Sequence, residues 1–326
     1  MDEITLIKEL ERLLKPVQDR VRKGSSQFMK TDFCHAFILG CPRSGTTALL
    51  QYLSYTNAWN YPTNLLTRFS SSLYVGMLFQ RLMFDEKFGL IRNSSNIDFS
   101  SEYGRSKGAM NANEFFHFFR HYFPNQTIRY LNKEELSKVD CVSLRKDLDI
   151  ICELNNKPFL TKALMFQYNL DFFSNKLGKV LYIYIRRDPI YNMQSIYKSR
   201  LSEMEGASHW WSAKPKQYKS LKDRNIFEQI AGQVLYSNYE IEECLKSIPS
   251  DNKLILDYER FVEDPEGVFS LIKSKYDKLG VTLRSDRDVP RDSIIDANFK
   301  SVDNIVWEQL LSAKNKIEQE MLRGDT

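Results

Sequence analysis

The stretch "ILGCPRSGTT", residues 38–47, decides the fold. It spaces Gly40 and Gly45 as G-x-x-x-x-G-T-T, the glycine spacing of a phosphate-binding loop. A nucleotide-hydrolysing loop of this type follows its second glycine with Lys and then Ser or Thr. Here Thr46 stands in the Lys position, and the nearest cation, Arg43, lies inside the loop. The run before it, "FCHAFIL" (33–39), is short and apolar, as a buried strand is, and "TTALLQYLSY" (46–55) reads as a helix. At such a strand-to-helix turn, successive backbone N–H groups and the helix dipole face one anion. Gly45 permits close backbone approach, Arg43 supplies a bidentate cation, and Thr46 and Thr47 supply hydroxyls. Residues Pro42, Arg43, Ser44, Gly45, Thr46 and Thr47 are therefore the candidate cradle for a phosphate or sulfate.

Working outward, "KPFLTKA" (157–163), "KVLYIYI" (179–185) and "NKLILD" (252–257) read as further strands. Helical patterns are expected over 65–84, 113–123, 133–154, between the strands at 157–163 and 179–185, and over 188–200, 225–247, 264–279 and 303–322. Residues 85–111, rich in Ser, Asn and Gly, read as a long surface loop. Strands alternating with helices imply an α/β fold, P-loop-like and three-layered, with a central parallel β-sheet flanked by helices and carrying helical insertions. No repeat or linker divides the chain, so residues 1–326 are expected to form a single domain. Its expected parts include an N-terminal amphipathic helix (1–30), a loop and helical insertion (85–155) and a C-terminal helix (300–326).

The second constellation is "RRDPIYNMQS". Arg187 ends a strand, Pro189 opens a helix, and Ser195 lies two turns into it. This sets a guanidinium and a hydroxyl at the carboxyl end of the sheet, where open α/β folds bind ligands. Of Arg186 and Arg187, only one is expected to face a ligand.

Bulk properties narrow the classes. A net charge of +4 over 326 residues argues against a broad nucleic-acid-binding face and suits an enzyme for anionic substrates. The five cysteines show no zinc spacing, and His117 and His121 lack a second ligand pair, so no metal site is expected. A reduced, cytoplasmic protein is the simple reading. Along residues 1–23, Ile4, Ile7, Leu10, Leu13 and Leu14 form one stripe of a helix expected to pack on the domain, assist a homodimer or touch a membrane surface. No signal peptide or spanning segment is evident in the sequence.

Together these elements resemble the sulfotransferase family. "PRSGTT" is similar to its 5′-phosphosulfate loop, and Arg187, Pro189 and Ser195 to its 3′-phosphate element. "FLTKA" resembles its Lys-bearing strand, and "DYERFVEDP" (257–265) its late Y-E-x-x-x-x-D-P stretch. "NLLTRF", "NEFFHFF" and "WWSAKP" are similar to blocks of bacterial and carbohydrate-type branches, and the resemblance spans roughly residues 33–270. It implies 3′-phosphoadenosine 5′-phosphosulfate (PAPS) as cofactor, no required metal, and a hydroxyl acceptor, with a sugar or glycolipid precursor expected. A bacterial enzyme is expected.

The resemblance implies that Arg43 and Lys162 neutralise charge on the leaving phosphate and the transferring group. Where cytosolic small-molecule sulfotransferases carry a base His two positions after the Lys, this chain has Leu164. Glu114, set among aromatic residues that raise a carboxyl pKa, is the first candidate base, with His117 and Glu102 as alternatives. Ala48 replaces the adenine-stacking Trp, leaving Trp59, Trp210 or Trp211 for that task. The late Arg-Lys-Gly triplet is absent, and Lys300 and Arg200 are candidates for a third 3′-phosphate contact. Two other classes remain: a P-loop kinase or NTPase using Asp257 of "LILD" to hold a metal, and a non-catalytic PAPS-binding protein.

Overall fold

The computed structural model describes residues 2–24, 33–91, 99, 101–102, 105–203, 209–289 and 294–324, with 101, 102, 105 and 203 described by backbone alone. The chain begins with helix α1 (Glu3–Lys23), strand β1 (Cys34–Leu39) and α2 (Thr46–Tyr55). A 3₁₀ turn (Leu66–Phe69), α3 (Leu73–Phe84) and a strand pair, β2 (Ser101–Glu102) and β3 (Arg105–Ser106), follow. Then come α4 (Phe116–Arg120), α5 (Lys133–Ser137), α6 (Cys141–Asn155), β4 (Leu160–Lys162) and α7 (Leu170–Phe173). The remainder is β5 (Lys179–Arg186), α8 (Pro189–Glu203), α9 (Tyr218–Leu221), α10 (Ile226–Lys246), β6 (Lys253–Asp257), α11 (Tyr258–Glu263), α12 (Pro265–Lys278) and α13 (Asn304–Arg323).

Strands β4, β1, β5 and β6 lie in that order, all parallel, with Ile38 opposite Lys162 and Leu39 opposite Tyr184. Period-two alternation sorts each central strand between two cores. Ala36, Ile38, Leu181 and Ile183 pack with Leu49 and Leu53 of α2 and Ile272 and Tyr276 of α12. Phe37, Leu39, Tyr182 and Tyr184 pack on the other face with Phe118 of α4 and Leu144 and Leu148 of α6. A third cluster joins Met193 and Ile196 of α8, Ile230 and Val234 of α10, and Leu310 and Ile317 of α13. The carboxyl ends of β4, β1 and β5 thus open side by side.

Three expected helices are interrupted or shortened where side chains hydrogen-bond the backbone or a neighbouring element. The 65–84 run breaks at Ser72, where Gln18 of α1 accepts from Ser72 Oγ and the Tyr74 N–H, both at 3.2 Å. The 133–154 run breaks because Asp140 caps Ser143 N and starts α6 afresh. The 113–123 run begins only at Phe116: Phe115 is left-handed (φ 61°), and its N–H donates to Asn113 Oδ1 at 3.0 Å.

The N-terminal stripe also differs from expectation. Ile4, Leu10 and Leu13 remain exposed, while Ile7 and Leu14 are half-buried. Helix α1 docks instead through polar groups on its C-terminal half. Buried Asp147 accepts from Gln18 Nε2 at 2.9 Å and Arg22 at 2.6 and 2.7 Å, and also from Tyr122 Oη. Replacing one partner of such a pair leaves the other charge uncompensated. Asp147→Ala is expected to cost about 3 kcal/mol, read as a lower urea midpoint at unchanged slope.

Candidate active site

The loop after β1 turns through two left-handed residues, Arg43 (φ 69°) and Gly45 (φ 99°), before α2 begins at Thr46. A Cβ at Gly45 would collide with the Tyr258 ring, so the position requires glycine for space as well as for φ. Two buried amides steady the turn from outside. Asn192 Nδ2 donates to Pro42 O at 2.6 Å, and Gly40 N–H donates to Gln167 Oε1 at 3.2 Å. Ser44 Oγ is buried and has no partner among the described residues.

Three cations from three strand ends converge here. Arg43 Nε donates to Ser195 Oγ at 3.0 Å, joining the loop to α8. Lys162, the last residue of β4, lies with Nζ 2.6 Å from both Thr47 Oγ1 and Glu114 Oε1. Burial lowers the Lys162 pKa; Glu114 opposes that shift and Arg43 adds to it. Arg187, just beyond β5, is 8% exposed and stacks 4.7 Å over the Tyr258 ring. It donates to Arg43 O (3.2 Å), Ala297 O (2.6 Å) and Asn298 Oδ1 (2.6 Å). Its pKa is lowered by burial against the charges of Tyr258, Glu259 and Asp296, though a guanidinium stays charged regardless. Arg186 points away, paired with Asp257 at 2.6 Å.

Pro42, Arg43, Gly45, Thr46, Thr47, Glu114, Lys162 and Arg187 all line one cavity of about 1900 Å³. His117 in α4 lines it too and is exposed. The side chain of Glu102 lies outside the described residues. Of the aromatic candidates, Trp210 and Trp211 line the cavity, whereas Trp59 is buried in the α2–α12 core and donates to Tyr276 Oη at 2.8 Å. Phe116 reaches the cavity, but Phe115 packs wholly in the core.

The two weaker phosphate candidates lie elsewhere. Arg200 is fully buried and donates to Gln229 at 2.8 Å and Gln233 at 3.2 Å. Lys300 is exposed, with Nζ bonded to Asn304 Oδ1 at 2.6 Å. Asp257, the metal-holding candidate of a kinase reading, is engaged by Arg186 on the outer side of β6, away from the cavity-lining set. No group of three or more His, Cys, Asp or Glu side chains suited to a metal occurs among the described residues.

Sequence reasoning did not find the segment 294–301, whose residues cover Arg187. Tyr258 Oη donates to Ile295 O (3.2 Å) and accepts from Ala297 N–H (3.1 Å), and Gln194 bonds Phe299 O (2.9 Å) and Ser301 N–H (2.7 Å). These are mostly backbone contacts, which leave no pattern in residue type.

Residues 36–284 match the model of the sulfotransferase family. The chain belongs to that family. No curated protein sequence matches it. Among solved structures, sulfotransferase STF1 from Mycobacterium tuberculosis shares 14% identity over 82% of this chain and 73% of its own, at a TM-score of 0.48. STF9 from Mycobacterium avium shares 12% over 80% and 68%, at 0.49. A sulfotransferase domain from the curacin biosynthetic pathway shares 16% over 88% and 97%, at 0.41. This sulfotransferase-family enzyme is thereby implied to use PAPS as donor and an acceptor molecule as partner. No helix among its described residues is long and apolar enough to cross a membrane.

The lowered Lys162 pKa has a consequence for stability. Between that value and the ordinary lysine value of 10.5, the folded chain binds fewer protons than the unfolded one. Stability therefore rises with pH across this alkaline window. Lys162→Met is expected to flatten the rise, measured as urea midpoints at several pH values.

Proposed function

We propose that the enzyme moves the sulfuryl group of PAPS to a hydroxyl on a carbohydrate or glycolipid precursor by in-line displacement. The observation that carries this reading is the convergence of the 42–47 loop, Lys162 and the Arg187–Ser195 element at neighbouring ends of parallel strands. The residues present fit such a donor. The left-handed cradle at Gly45, the orphaned buried hydroxyl of Ser44 and three clustered cations all favour a polyanion.

In this reading Pro42 to Thr47 hold the 5′-phosphosulfate, with their N–H groups and the α2 dipole directed at it. Arg187 and Ser195 hold the 3′-phosphate, the guanidinium through N–H groups not engaged by Arg43, Ala297 and Asn298. PAPS supplies the sulfuryl group: a new S–O bond forms to the acceptor oxygen as the bond to the 5′-phosphate breaks. Arg43 and Lys162 neutralise the charge that accumulates on the departing phosphate and on the equatorial oxygens. Glu114 takes the acceptor proton, held beside Lys162 by their 2.6 Å ion pair. The pair ties the base to the cofactor loop, because the same ammonium also donates to Thr47.

The carbohydrate assignment is supported by Phe116, Trp210 and Trp211 in the cavity wall, since flat aromatic faces stack on sugar rings. A glycolipid is further supported by exposed Leu6, Leu10 and Leu13 on α1, whose neighbour Ile7 lines the cavity.

Calorimetric titration with 3′,5′-adenosine bisphosphate, beside ATP with and without Mg²⁺, tests the donor assignment. The bisphosphate is expected to bind without metal and to lose that binding in Arg187→Ala; a Mg²⁺-dependent preference for ATP would refute the assignment. Transfer of labelled sulfuryl groups tests the catalytic roles. Lys162→Ala should lower kcat about 10²–10³-fold, Glu114→Gln about 10²–10⁴-fold, and EDTA should leave the rate unchanged.

A further inference from the structure

The cavity extends well beyond the three cations assigned to the donor. From Glu114, helix α4 carries the wall onward through Phe116 and His117 to Arg120, about 6 Å of helical rise from Phe116. There the guanidinium lies 5.8 Å from the Phe116 ring, and its Nη2 donates to Gln126 O at 3.2 Å. Its Nε is buried with no acceptor among the described residues. Two residues further along, Ile128 O accepts from the N–H of Lys214 at 2.9 Å. Lys214 lines the same cavity, as do Trp210 and Trp211. The Lys214 ammonium contacts the Tyr218 ring at 4.5 Å.

Neither Arg120 nor Lys214 has a carboxylate partner among the described residues, although both line the cavity. Apart from the cations assigned to the donor, the other charges around the cavity have partners or roles of their own. Arg68 is paired with Glu3 at the rim, and Glu114 is paired with Lys162. Asp296 belongs to the segment covering Arg187. An under-satisfied guanidinium and an uncompensated ammonium in one cavity call for an acceptor from outside the chain.

We propose that Arg120 and Lys214 form an anion subsite in the acceptor half of the cavity, so that the acceptor carries an acidic group, carboxylate, phosphate or sulfate, in addition to the hydroxyl that is sulfated. The inference rests on the sulfotransferase reading for the word acceptor, but the subsite itself rests on these two side chains alone. Glu114 precedes α4 by two residues and Arg120 ends it, so an acid bound at Arg120 directs a separate part of the acceptor toward the base. Aromatic Phe116 and Trp211 line the same cavity.

Two arms test the subsite. In the first, inorganic sulfate is titrated by thermal shift, without and with saturating 3′,5′-adenosine bisphosphate. Sulfate should stabilise the wild type in both conditions. Arg120→Met and Lys214→Met should each weaken its apparent affinity about 10-fold, as loss of a charge-assisted hydrogen bond does. Melting of each variant without anion checks that it folds. Unchanged sulfate affinity in both folded variants would assign the shift to the sulfuryl position and overturn the proposal. In the second arm, sulfuryl transfer is compared between methyl glucoside and methyl glucuronide. The glucuronide should be preferred by kcat/KM, with the preference lost in both variants, whereas an equal or reversed preference in the wild type overturns the proposal. Bisphosphate binding, read alongside, reports separately on the donor site. If neither sugar reacts, the sulfate arm decides the subsite without reference to transfer.

Discussion

Everything at the mouth of the sheet depends on keeping like charges close together. Arg43, Lys162 and Arg187 are held at the ends of β1, β4 and β5, and both Lys162 and Arg187 are buried. Their proximity is unfavourable in the free protein; burial, and to a lesser extent Arg43, lowers the Lys162 pKa. One carboxylate, Glu114, offsets it directly. Glu259 and Asp296 act on Arg187 from further off, and uncharged groups add to this: Ser195, Thr47, and the carbonyls of Arg43 and Ala297. Such an arrangement favours any ligand that brings negative charge, and it requires no rearrangement of the sheet to receive it.

The shape of the loop follows from the same constraint. Between β1 and α2 the chain passes twice through left-handed conformations within three residues. Gly45 makes this feasible because its missing Cβ is where the Tyr258 ring lies. That ring in turn supports Arg187 and bonds residues 295 and 297. One aromatic side chain at the start of α11 therefore connects the loop after β1, the residue after β5 and the segment 294–301. Segments from residue 42 to residue 301 must all be in place before the site exists.

Much of this was legible in the sequence. The β1–loop–α2 unit announces itself through an apolar run, two glycines and a helical pattern, which are local signals in residue type. The strands, the long helices and the alternation that forces a parallel sheet follow the same logic. Pro42, Arg43, Gly45, Thr46, Thr47, Lys162, Glu114 and Arg187 are brought to one cavity as the motifs suggested, and Ser195 is tied to it through Arg43. The helix boundaries that differed, at Ser72, Phe115 and Asp140, were set by side-chain hydrogen bonds that compete with helical spacing.

By itself, then, the sequence determined the parallel α/β class, the strand–loop–helix turn at residues 40–46 and the sulfotransferase family, because glycine spacing and hydrophobic period act over a few neighbouring residues. Only the tertiary structure decided which of Arg186 and Arg187 faces inward, that Trp59 and Arg200 are buried away from the cavity, and that Arg120 and Lys214 line the same cavity. It also decided that α1 leaves much of its apolar stripe exposed while Asp147 holds its C-terminal half through Gln18 and Arg22. These outcomes depend on contacts between residues tens to hundreds of positions apart. Burial and charge pairing are properties of the assembled neighbourhood, and neither is written in the identity of a residue or its immediate spacing.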